Sequence, residues 1–93
     1  MASLGAVVIR MTKATRKVLW ALLDVEECYG LEVVHRTRLA GGTVYPILAR
    51  LERHGCVLSR WDCADPGTEG PRRRFYRLTA AGITLACELD QPP

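Results

Sequence analysis

The sequence predicts a small α+β fold, mainly helical, in which helices come first and a two-stranded hairpin follows. Three observations carry this. The stretch Gly41–Gly55 has a glycine-opened apolar stripe at helical spacing, with arginines opposite. Two short strand-like runs, 56–61 and 73–78, flank a turn-rich segment containing Pro66-Gly67 and Gly70-Pro71. Cations gather in two places: residues 31–61 hold five Arg against two Glu, and residues 72–78 hold four Arg and no acid. Between them Asp62, Asp65 and Glu69 make an acidic connection. A net charge of +3 is modest. Its segregation is what suits a docking face for a polyanion.

The chain of 93 residues supports one modest core, so residues 1–93 read as a single domain. Val7-Val8-Ile9 is β-branched and short, a candidate leading strand. Thr12 suits an N-cap for a first helix running to about Asp24 or Val25, with Val18, Leu19, Leu22, Leu23 and Val25 as its apolar stripe. Glu26 to Gly30 breaks that pattern. A second short helix is expected from about Gly30 to Thr37, with Leu31 and Val34 inward and His35 and Arg36 outward. Leu39-Ala40-Gly41-Gly42 reads as a turn, since glycines tolerate the angles a corner needs.

The third helix has the clearest period. Val44, Ile47, Leu48 and Leu51 stand at i, i+3, i+4 and i+7, one core-facing stripe. At about 100° per residue the outer side carries Gly42, Pro46, Ala49 and Arg53, flanked by Thr43, Tyr45 and Arg50. Pro46 lacks an N–H, which places the helix start near Gly42 or Thr43; Gly55 is the stop. Cys56–Trp61 and Arg73–Leu78 then form the hairpin, with Trp61 packed at its base and Tyr76 half-buried. Thr79 caps a last helix from about Ala80 to Leu89. Two helices joined by a short turn and followed by a hairpin make a winged helix-turn-helix.

In that arrangement the second helix of the pair enters the major groove of duplex DNA. Gly42 and Ala49 permit close approach, with Pro46 beside them. Thr43 and the helix N-terminus offer donors to phosphate, and Tyr45 offers a hydroxyl. Arg50 is the best candidate for a bidentate guanine contact, worth about 1–3 kcal/mol of discrimination, and Arg53 lies nearer the helix end. Arg72, Arg73, Arg74 and Arg77 of the wing are placed to straddle phosphates or enter a minor groove. If about six phosphates are neutralised, affinity should fall with salt at a logarithmic slope of about −5. Taken singly, each feature also has a plainer meaning: Arg50 and Arg53 a solvated face, the arginine run an edge strand protected from aggregation. Their joint order is what points to DNA.

Enzymatic function is not expected, because no nucleophile–base pair, carboxylate dyad, phosphate loop or metal cluster appears. The cysteines (Cys28, Cys56, Cys63, Cys87) lack metal spacing and read as small apolar thiols of a reducing cytosol, although His54, Cys56 and Cys63 are near in sequence. No cofactor is expected, and no residue pattern indicates a small-molecule effector, which the reading leaves open. Ala2–Ile9 is too short and too poor in base for a signal peptide or membrane span. A cytoplasmic protein is the expectation.

The residues of the third helix and the wing carry a resemblance. Gly42-Thr43-Val44-Tyr45-Pro46 through Leu51-Glu52 to Gly55 is similar to the recognition-helix signature of the PadR family of transcriptional regulators. Gly70 to Gly82, with Tyr76-Arg77-Leu78-Thr79, resembles that family's wing strand and its exit. Tyr29-Gly30 sits where the family has a His-Gly-Tyr motif. The resemblance covers about residues 12–82. It implies a homodimeric repressor on an inverted-repeat operator, with half-sites about 34 Å apart. Two departures stand out. Ala40 replaces a common Ser cap, and about ten residues follow Gly82 where longer members continue into a dimerisation helix. The first helix, the Val7–Ile9 segment and the last helix are therefore the expected dimer surfaces. Two alternatives stay open: an architectural or accessory DNA protein of a plasmid or phage, and a winged helix used for protein–protein contact.

Overall fold

A computed structural model describes residues 11–62 and 73–89. The elements are α1 (Lys13–Leu23), β1 (Cys28–Tyr29), α2 (Gly30–Thr37), α3 (Gly41–Arg53), β2 (Val57–Trp61), β3 (Arg74–Leu78) and α4 (Ala80–Glu88). The helices enclose one side of an antiparallel sheet of order β1-β3-β2. The Val7–Ile9 strand expected from the sequence lies outside the described residues, as do Cys63, Asp65, Glu69 and Arg72. Among the described residues no helix is long and apolar enough to cross a membrane.

Local chemistry explains most boundaries. The Thr12 hydroxyl accepts from the Thr15 amide at 3.1 Å and starts α1. Thr79 does the same for α4 through the Gly82 amide, also at 3.1 Å. The end of α3 is closed by two reversed hydrogen bonds, Gly55 N–H to the Glu52 carbonyl and Cys56 N–H to the Leu51 carbonyl. Gly55 makes this possible with φ +76, a region where a Cβ is penalised. Leu51 and Cys56, the two residues joined by the second of these bonds, are both buried in the core.

The core joins Val18, Leu19 and Leu22 of α1 to Val33 of α2, the predicted stripe Val44, Ile47, Leu48 and Leu51 of α3, Val57 of β2, Tyr76 and Leu78 of β3, and Ala86 of α4. Burying such side chains contributes about 1.5–3 kcal/mol each.

The structure differs from the sequence expectations in five places. The wing sheet has three strands, because Cys28 and Tyr29 pair with Tyr76 and Phe75. Two residues are too few to show alternation, so the pairing comes from the partner strand. The corner before α3 is turned by Arg38, at φ 60, and not by the two glycines, which already belong to the helix. On α2 the inward residues are Gly30, Val33 and Thr37, whereas Leu31 is 59% exposed. Thr37 is tolerated inside because its hydroxyl donates to the Val33 carbonyl at 2.7 Å. Leu23, at the end of α1, also points partly outward. Trp61, expected to be packed, is 50% exposed at the end of β2.

Candidate nucleic-acid interface

Burial of the apolar stripe of α3 turns its other side to solvent. Gly42, Thr43, Tyr45, Pro46, Ala49 and Arg53 are exposed, and Arg50 is half-buried. The first turn has no side-chain cap, since Ala40 at the N-cap offers no acceptor. Pro46 has no N–H to give the Gly42 carbonyl one turn back. Gly42 has open space where a Cβ would stand. Tyr45 is held differently from a free surface tyrosine: a Cβ at Gly30 would lie 2.6 Å from its ring edge. The missing side chain at Gly30 therefore lets the Tyr45 ring lie across the start of α2, which ties the two helices of the pair together.

Charge on α3 is sorted. Its one acid, Glu52, accepts from the Ser59 hydroxyl at 2.7 Å and pairs with Arg74 at 3.4 Å. Arg50 and Arg53 have no carboxylate within ion-pair distance among the described residues. The outward electrostatics of the helix are therefore cationic.

The wing arginines do not share one face. Strand alternation puts Arg73, Phe75 and Arg77 on the outer side and Arg74, Tyr76 and Leu78 on the inner. Arg73 and Arg77 are exposed. Arg74 donates from Nε and Nη2 to Ser59 Oγ at 2.9 and 2.7 Å, so the structure gives it internal partners.

On the outer side a layered cluster appears that the sequence did not single out. The Tyr29 and Phe75 rings stack with centroids 4.2 Å apart. The Arg60 guanidinium lies 4.3 Å from the Phe75 centroid, and that of Arg73 lies 4.9 Å from the Tyr29 centroid. Glu27 accepts two hydrogen bonds from Arg60, at 2.9 and 2.7 Å. Those bonds, with the charges of Arg60 and Arg77, hold the Glu27 carboxyl below its usual range against a smaller opposing effect of desolvation. The sequence singles out Arg73 as a wing cation and Tyr29 beside Gly30, but not their stacking, because Glu27 and Tyr29 fall in a segment that reads as a break.

The described cysteines are free: Cys28 and Cys56 are buried, Cys87 exposed. Burial pushes the Cys28 thiol up to about 11 and the Cys56 thiol up as well, so both stay protonated near neutrality. No group of three His, Cys, Asp or Glu among the described residues is arranged to hold a metal.

Solved structures share this architecture. BpsR of Bordetella bronchiseptica, whose DNA binding is regulated by 6-hydroxynicotinic acid, matches at 29% identity and TM-score 0.71, over 84% of this chain and 55% of its own. The PcaV transcriptional regulator of Streptomyces coelicolor, solved with its natural ligand, matches at 26% identity and TM-score 0.74, over 91% and 57%. This chain thus spans a little over half the length of each. A PadR-like transcription factor of Bacteroides fragilis matches at 28% identity and TM-score 0.68, over 82% of this chain and 75% of that one. No curated protein matches. The model of the PadR-like transcriptional regulator family matches residues 18–86, most of the winged-helix frame, and the chain belongs to that family.

Proposed function

We propose that this protein is a DNA-binding repressor that lays α3 in the major groove of an inverted-repeat operator and holds the adjacent backbone with its wing. The observation that carries this reading is the charge sorting on α3, where Ser59 and Arg74 occupy the one carboxylate. A helix cationic toward solvent, with an uncapped N-terminus, is matched to phosphate and base edges. Gly42, Pro46 and Ala49 let the backbone come close. Thr43 and Tyr45 bring hydroxyls to the phosphates. Arg50 reads a base, and Arg53, Arg73 and Arg77 neutralise phosphates, with Arg72 extending that set. DNA binding by BpsR supports the reading. Two copies related by a two-fold axis would engage the two half-sites.

Selection of bound duplexes from a random pool, followed by titration of variants, tests it. Arg50→Ala should relax the preference at one position by about 1–3 kcal/mol. Arg73→Ala with Arg77→Ala should weaken all sequences alike and reduce the logarithmic salt slope by about 2. Equal affinity for selected and random duplexes would instead identify an architectural DNA protein. Binding unaltered by either change would overturn the docking.

A further inference from the structure

The inner wing arginine stands at a junction of three elements. By register Ser59 faces Tyr76 and Trp61 faces Arg74, so Ser59, Trp61 and Arg74 lie on the sheet side that meets α3. Ser59 Oγ gives its one proton to Glu52 Oε2 at 2.7 Å. Its lone pairs receive Nε and Nη2 of Arg74 at 2.9 and 2.7 Å. The hydroxyl is thereby fully used, as donor once and acceptor twice. A direct Arg74–Glu52 contact at 3.4 Å closes the ring of interactions. The Arg74 guanidinium also lies 5.1 Å from the Trp61 ring centroid. Glu52 sits in the last turn of α3 between Arg50 and Arg53, two side chains of the proposed DNA contact.

We infer that Arg74 is a positioning residue and not a phosphate contact: through Ser59 it fixes the wing's angle to α3 and neutralises Glu52 beside the DNA. This rests on the proposed function. Two effects follow from the geometry. Without Arg74, Glu52 becomes an uncompensated anion next to the phosphates, and like charge at that distance opposes binding. Without Ser59, what remains is a long, half-exposed ion pair, a kind of contact that contributes little to order. The hydroxyl, a neutral group, is thus as necessary as the charges it joins.

The test compares wild type with Arg74→Gln, Ser59→Ala, Glu52→Gln and the Glu52→Gln/Arg74→Gln double variant. Two readouts are used: DNA affinity across salt concentrations, and amide exchange of each protein without DNA. Arg74→Gln should weaken binding by about tenfold, the scale of a lost charge-assisted hydrogen bond. Ser59→Ala should weaken binding in the same direction although it removes no charge. The double variant should bind tighter than Arg74→Gln alone. Without DNA, amides of β2 and β3 should exchange faster in Arg74→Gln and Ser59→Ala, while those of α1 and α3 hold. A slope reduced by about 0.9 in Arg74→Gln, with Ser59→Ala binding and exchanging as wild type, would make Arg74 a phosphate contact and overturn the proposal. If Arg74→Gln fails to fold by circular dichroism, the milder Ser59→Ala decides. Absence of DNA binding by wild type would remove the proposed function, and the exchange data would still judge the clamp.

Discussion

Gly82 shows how one residue can be fixed by backbone proximity alone. An added Cβ would lie 2.0 Å from the Cys56 carbonyl oxygen and 3.0 Å from a Leu78 methyl. Neither the Cys56 backbone, which leads into β2, nor α4 can yield without separating. Gly82→Ala should therefore destabilise the fold by about 1–3 kcal/mol, even though alanine gains about 1 kcal/mol in helix propensity. Urea unfolding measures the net effect, and a more stable Gly82→Ala would contradict the close approach. Residue-scale roles of this kind are the least legible in sequence. Gly82 closes the motif at the wing exit without showing what it packs against, whereas Gly55 announces itself by ending a periodic stripe. Gly30 is another hidden case, since its value lies in the Tyr45 ring that covers it.

At the scale of elements, the sequence showed what periodicity could show. The four-residue stripe of α3 and the threonine caps of α1 and α4 are local signals, and they placed three helices to within a residue or two. The hairpin of β2 with β3 was legible too, but the pairing of β1 was not. β1 exists because β3 offers it a ladder, and the corner before α3 falls on Arg38 because α2 closes with a hydrogen bond from the Arg38 amide to the Val34 carbonyl at 2.9 Å. The outer cluster that binds β1 to the wing has a testable pH signature. Glu27 titrates below the usual 4.5 in the folded chain, held there by its hydrogen bonds to Arg60. A depressed folded pKa stabilises above the unfolded value and loses that contribution as pH falls through the folded one. Wild type should thus be more stable than Glu27→Gln near neutrality, and the difference should shrink below 4.5 and vanish once pH falls past the lower folded value. Thermal melts across pH check this. A gap that persists in strong acid would mean that the ion pair is not its source.

For the molecule as a whole, the candidate site was legible as a charge pattern and not as a geometry. Counting arginines located the wing, but strand alternation, which needs a register, divided them into Arg73 and Arg77 outside and Arg74 inside. The proposed pairing of two copies carries its own geometric consequence. Half-sites read by a two-fold pair lie on one face of the duplex, about 34 Å apart. Inserting about 5 base pairs, half a helical turn, between them should lower affinity to that of a single half-site. Mobility-shift titration of the two duplexes provides the comparison, and equal affinity would rule out a rigid pair.

The joint between α3 and α4 has a mechanical consequence. The Thr79 hydroxyl donates to the Gly55 carbonyl at 2.6 Å, the Thr79 amide donates to the Cys56 carbonyl at 3.0 Å, and Gly82 rests against that same Cys56 carbonyl. Three contacts between short backbone segments, with no long side chain to flex, make this a weld and not a hinge. A torque applied to α4 would pass through these contacts to the end of α3. In this molecule α4 is the handle of α3.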